Sequence, residues 1–201
     1  MSQQSAAATI DPDERLRAEF YDFLAGLLAR PPSAEQLAGA AALRGDDSPM
    51  GRAIDALAGI AAHTSPRRAE REFNALFIGL GRGELLPYAS VYLTGFLHEK
   101  PLALLRRDMG RLGIHRADDV FEPEDNIASL MEMMAGLIAG RFGPPAGLQT
   151  QREFFSRHIA PWAGPFFADL EAAKGSVLYA PVGQIGRLFI EIETEAFRLG
   201  G

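Results

Sequence analysis

An all-α fold is what this sequence predicts, on three observations. Its composition favours helix: 32 Ala and 24 Leu stand against 20 Val, Ile and Thr together, and β-branched residues are the ones that fill strands. Its apolar residues recur at helical rather than alternating spacing. Between those stripes sit Ser-Pro and Asp starts and Gly or Pro stops. The expectation is one helical bundle of about nine helices over residues 11–201, behind a disordered tail over residues 1–10.

Asp11 or Asp13 can cap the first helix, whose stripe is Leu16, Phe20, Phe23, Leu24, Leu27 and Leu28. Arg30-Pro31-Pro32 stops it. Ser33, with Gln36 three residues on, forms a capping-box pattern for a short second helix. Ser48-Pro49 and Ser65-Pro66 each read as a cap followed by Pro at the first helical position. They open helices carrying Ile54, Leu57 and Ala61, then Phe73, Leu76 and Phe77. Gly79 to Pro87 is a glycine-rich break, after which Ser90 to Leu97 is apolar. Pro101 begins a helix through Leu102, Leu105, Met109 and Leu112, closed by Gly113. After an acidic loop, Ile127, Leu130, Met131, Met134, Leu137 and Ile138 define another, ended by Gly143-Pro144-Pro145. Phe154, Phe155 and Ile159 mark the next, and Trp162 to Leu170 follows Pro161. Pro181 opens the last, with Ile185, Leu188, Phe189, Ile192 and Phe197 facing inward.

Several function classes drop out. With no cysteine, thiol catalysis, disulfides and Cys-ligated metals are excluded. A net charge of −6 argues against a broad nucleic-acid surface. No window is apolar enough for a membrane span, the first ten residues lack a signal-peptide pattern, and a cytoplasmic location follows by default. His63, His98, His115 and His158 are scattered without ligand spacing, and no metal or other cofactor is expected. No nucleophile elbow or triad pattern marks an enzyme. Gly79-Leu80-Gly81-Arg82-Gly83 lacks the preceding strand and Lys-Ser or Lys-Thr pair of a phosphate loop, so it reads as punctuation between helices.

Asp118, Asp119, Glu122, Glu124 and Asp125 place five carboxylates within eight residues. Two readings stand side by side. One is a solvated loop in which Asp125 caps the helix beginning near Ile127. The other is a docking surface for a cationic peptide.

Two segments carry a resemblance. Phe73-Asn-Ala-Leu-Phe-Ile-Gly-Leu-Gly-Arg-Gly-Glu-Leu-Leu-Pro-Tyr-Ala-Ser-Val-Tyr-Leu93 resembles the central segment of the TorD/DmsD-like redox-enzyme maturation chaperones, where Leu-Phe-x-Gly leads to Pro-x-x-Ser-x-Tyr. Glu122-Pro123-Glu124-Asp125-Asn126-Ile127 is similar to that family's Glu-Pro-x-Asp-His segment. The later His158-Ile159-Ala160-Pro161-Trp162 is also similar in character. The resemblance implies an all-helical cytosolic chaperone for a molybdenum-cofactor oxidoreductase, one that binds the apoenzyme catalytic subunit or its twin-arginine leader before export. By position, Pro87, Tyr88, Ser90, Tyr92, Glu122, Pro123, Asp125 and Asn126 become the peptide-binding candidates. Asn126 stands where the family has His, and an amide cannot take up a proton near neutral pH.

A twin-arginine leader is cationic then apolar, so its receptor needs carboxylates beside an apolar groove. The expectation is that Glu122 and Asp125 meet the arginines, with the two motifs close together on one groove. Met131, Met133, Met134 and Leu137 are candidates for its apolar wall, with core packing the competing reading for Met131 and Met134. Neither stable membrane insertion nor nucleic-acid binding is expected, and monomer or homodimer is left open. A nucleotide-dependent switch or enzyme, and a plain helical adaptor, are the alternatives.

Overall fold

The computed structural model describes residues 10–79, 83–116 and 122–200. These form ten α-helices and two π-helical turns. The order is α1 (Pro12–Leu28), α2 (Ala34–Ala42), α3 (Pro49–Ala61), α4 (Pro66–Phe73) with the π turn Asn74–Ile78, and α5 (Ala89–Thr94). Then come α6 (Lys100–Leu112), α7 (Ile127–Ala139), α8 (Leu148–Phe154) with the π turn Phe155–Ile159, α9 (Ala163–Ala172) and α10 (Tyr179–Leu199). No strand occurs among the described residues; an isolated bridge joins Tyr88 and Asn126. Most of the tail expected over residues 1–10 lies outside the described residues, as do residues 80–82, Asp118 and Asp119.

The starts and stops follow the capping chemistry. Asp11, not Asp13, caps α1 by accepting the Asp13 N–H, and Pro12 occupies the first turn. Ser33 and Gln36 make the full capping box of α2. Ser48 and Ser65 cap α3 and α4 by accepting from Gly51 and Arg68. Gly113, at φ 69°, ends α6 in the left-handed region.

One apolar cluster draws on all ten helices, with α1 against α7 and α9 against α10 as its main layers. Between α9 and α10 the backbones approach too closely for larger residues. A Cβ on Gly183 would sit 2.4 Å from the Glu171 nitrogen, and one on Gly186 2.2 Å from the Phe167 ring. Nothing in the apolar spacing predicts the two π turns. Each inserts one residue into the helical turn and rotates the face that follows. The second lets the neighbouring rings of Phe154 and Phe155 both reach the core.

Two of the residues expected to face inward point to solvent: Leu16 and Ile192 are exposed. The position facing inward beside Ile192 is Glu193, which is buried. Its carboxylate accepts from Arg17 Nη2 at 2.7 Å and from the Tyr21 hydroxyl at 2.8 Å. A buried carboxylate is retained there because its partners arrive from α1 with matched geometry. Apolar periodicity cannot see such a pair.

A second buried polar cluster links α6 to the π turn Phe155–Ile159. Asp108 accepts from Arg157 Nη1 at 2.6 Å and lies 3.0 Å from His158 Nε2. Burial pushes the Asp108 carboxyl up, but Arg157 and His158 outweigh it and hold it below the ordinary value. Burial also holds His158 below its ordinary 6.5, against the opposing pull of Asp108. Both depressed groups give stability that is present at neutral pH and lost on acidification. Below 6.5 the unfolded chain protonates this histidine more readily than the folded one does. The urea midpoint is therefore expected to fall as pH drops through that value, and to fall again in the carboxylate range. His158→Gln should abolish the first stage; a midpoint flat between neutrality and the carboxylate range in the wild type contradicts this assignment.

Candidate functional site

The two motifs meet at the N-termini of α5 and α7. Ala89 N–H donates to the Asp125 carbonyl at 3.0 Å, and Ile127 N–H donates to the Pro87 carbonyl at 2.9 Å. These bonds set Tyr88 opposite Asn126. Helix α5 has no capping side chain of its own. Asp125 supplies one from across the joint: its Oδ2 accepts from the Ser90 N–H at 2.8 Å and from the Ser90 hydroxyl at 2.5 Å. A carboxylate on free N–H groups at a helix start is favourable.

This overturns both expectations for Asp125. It is 1% exposed, so it does not stand on a rim to meet arginines. Nor does it cap α7: Asn126 does, accepting the Ala128 N–H at 2.9 Å. Asn is among the best N-cap residues, which gives the amide at this position a structural reason. The other acidic residues also divide. Glu124 is buried, with Arg106 at 2.8 Å and Arg116 at 3.6 Å. Burial raises its pKa, but Arg106 first and Arg116 with it hold the carboxyl below the ordinary range. Pro123 shapes the turn, its carbonyl accepting from Asn126 N–H at 3.1 Å. Glu122 alone of the described cluster is exposed, and it accepts from the Tyr88 hydroxyl.

Beside the joint runs a groove of about 350 Å³, walled by Phe73, Phe77, Ile78, Pro87, Tyr88 and Leu28. Glu122, Asn126, Ser129 and Glu132 give it a polar side. A neighbouring hollow of about 210 Å³, with Met133, Met109 and Phe142, shares Glu122, Ser129 and Glu132. Burial raises the pKa of Glu132, and the nearby Asp22 adds to it. The groove is thus apolar along one side and carboxylate-bearing along the other.

Of the sequence candidates, Pro87, Tyr88, Glu122 and Asn126 line this groove. Ser90, Asp125 and Pro123 build the joint beneath it. Tyr92 belongs elsewhere: its ring packs on Trp162 and Phe166, 5.4 and 6.0 Å away, and its hydroxyl donates to Asp169 at 2.9 Å. Met131 and Met134 are core, and so is Leu137, while Met133 edges only the neighbouring hollow. Sequence reasoning does not single out Glu132 or Ile78 as site residues, and it places Leu28, Phe73 and Phe77 only in apolar helical stripes. One sequence signal pointed to Glu132: it interrupts the apolar run Leu130-Met131-Glu132-Met133-Met134.

The segment before the glycine-rich break is the π turn Asn74–Ile78, not a strand, as punctuation requires. Among the described residues no group of three His, Asp or Glu is placed to hold a metal ion, and no helix is long and apolar enough to cross a membrane.

Residues 43–168, which contain the whole joint, match the family model described as nitrate reductase delta subunit. The chain belongs to that family. Proteins similar to this chain include the chaperone protein TorD of Vibrio cholerae, 30% identical over 127 residues. That match covers 60% of this chain and 58% of the relative, less than two thirds of its length. TorD of Vibrio atlanticus is 24% identical over 89% of this chain and 93% of its own. A candidate redox enzyme maturation protein from Archaeoglobus fulgidus shares the fold, with a TM-score of 0.57 and 20% identity, over 88% of this chain and 94% of that one. These likenesses agree with the TorD-like resemblance of the two motifs.

Proposed function

We propose that this protein is a maturation chaperone for a molybdenum-cofactor oxidoreductase, acting in the cytoplasm before export and by binding rather than catalysis. In this reading the groove beside Tyr88 receives the client's twin-arginine leader. Glu122 and Glu132 attract the arginines, while Phe77, Ile78 and Leu28 take the apolar stretch. The observation that carries the reading is the groove itself: a delta-subunit-family chain whose two motifs converge on an apolar wall faced by carboxylates.

Exposed ion pairs each contribute about 0.2–1 kcal/mol. Glu122→Gln is therefore expected to weaken a labelled leader peptide by about 1.4- to fivefold at low salt, less at high salt. Phe77→Ser should weaken it at both. Fluorescence anisotropy on the wild type and these variants checks this, and unchanged affinity in both variants would overturn the groove assignment. The chaperone role is tested by co-purification of the tagged protein with a molybdoenzyme subunit; recovery without such a client contradicts it.

A further inference from the structure

The hairpin of α5 and α6 has surface chemistry opposite to that of the leader groove. Leu93 is 45% exposed, Phe96 70%, Leu97 42% and Leu104 37%, all within one short stretch of chain. Contiguous exposed apolar residues of this size mark interaction surfaces. Leu93 and Leu104 flank a cavity of about 220 Å³ between α5, α6, α7 and the second π turn, with Leu105 and Leu130 in its wall.

The charge around this patch is positive. Residues 89–116 hold five Lys and Arg against two carboxylates, in a chain of net charge −6. Arg106 and Arg116 are taken up by Glu124, and Asp108 is shared by Arg111 and Arg157. Lys100 and Arg107 have no ion-pair partner among the described residues. Spacings of four, three and four put Lys100, Leu104, Arg107 and Arg111 on one face of α6. Lys100 and Arg157 both line the cavity, against one carboxylate, Asp125, which Ser90 holds through Oδ2.

We propose that this hairpin is a docking surface for an acidic amphipathic segment of a polypeptide partner, with one apolar side chain seated in the cavity. An arginine-bearing leader is disfavoured here by like charge. Carboxylates on the partner complement Lys100, Arg107 and Arg111, and its apolar face covers Leu93, Phe96 and Leu97. The central cavity favours a polypeptide over an anionic lipid surface, because a knob-and-pocket anchor inside an apolar ring is how protein interfaces concentrate their binding energy. The surface is separate from the Tyr88 groove, so it stands whether or not the leader binds there.

The test uses a labelled helical peptide with Leu and Phe on one face and Glu on the other, a counterpart with Lys for Glu, and vesicles of phosphatidylcholine with phosphatidylserine. The acidic peptide should bind at least about tenfold more tightly than the basic one, with the preference reduced at high salt. Lys100→Glu with Arg107→Glu should reverse that preference, and Phe96→Asp should abolish binding of either peptide. Neither variant touches the Tyr88 groove, and a wild-type urea midpoint in each serves as the folding control. Equal binding of the two peptides, binding of neither, or an acidic-peptide affinity untouched by the double reversal overturns the proposal. So does vesicle binding that Phe96→Asp removes while the peptides fail. A concentration-dependent dimer lost in Phe96→Asp, with no peptide binding, assigns the surface to a second copy of this chain and also overturns it.

Discussion

Asp125→Ala is expected to destabilise the protein by about 2–4 kcal/mol, because it leaves the buried Ser90 N–H and hydroxyl without their acceptor. Asp125→Asn keeps an amide oxygen for Ser90 and should cost much less. Urea unfolding of the two variants measures the difference. The same pair decides how Asp125 serves the groove. As a strut it holds α5 against the α7 turn, so the Ala variant should lose leader affinity as the Tyr88–Asn126 bridge loosens, while Asn should largely retain it. If the residue acted by its charge on the leader arginines, the Asn variant would lose affinity at nearly unchanged stability. A stability cost below about 1 kcal/mol for Ala would equally contradict the strut, since an orphaned buried donor costs more than that.

Trp162→Ala should cost about 3–5 kcal/mol, the range for removing a large buried aromatic side chain. Its indole is fully buried, its Nε1–H donates to the His158 carbonyl at 2.9 Å, and it packs against Tyr92 and Phe166. Losing it removes the platform on which the Tyr92 ring rests and loosens the α5 end of the joint from below. Trp162→Phe keeps part of the volume and should recover roughly half of the loss. Thermal and urea unfolding check the magnitude. An Ala variant within about 1 kcal/mol of wild type would mean that the site collapses around the gap, contrary to a close-packed core.

The helices were legible because their signals are local. Ser33 with Gln36, Ser48-Pro49, Ser65-Pro66 and Gly113 each act within one turn of the chain, and each does in the structure what its spacing predicts. The site was legible only in part. Pro87, Tyr88, Glu122 and Asn126 do share a groove. Asp125 looked from sequence like its neighbour Glu122, because residue type carries no record of which way a side chain turns. Phe77 and Ile78 lie within a π turn, whose extra residue displaces the periodic face that sequence reading relies on.

Sequence alone determined the fold class, the absence of thiol chemistry, most helix boundaries and the pairing of two motifs that mark the family. All of these rest on chemistry within a few residues or on composition. Only the tertiary structure decided which carboxylates face water. Glu122 stays out, whereas Asp125, Glu124 and Glu193 go in because Ser90, Arg106 and Arg17 come from distant parts of the chain to meet them. Burying a carboxylate costs several kcal/mol unless such partners are present. Their presence is a property of packing, which no single stretch of sequence contains.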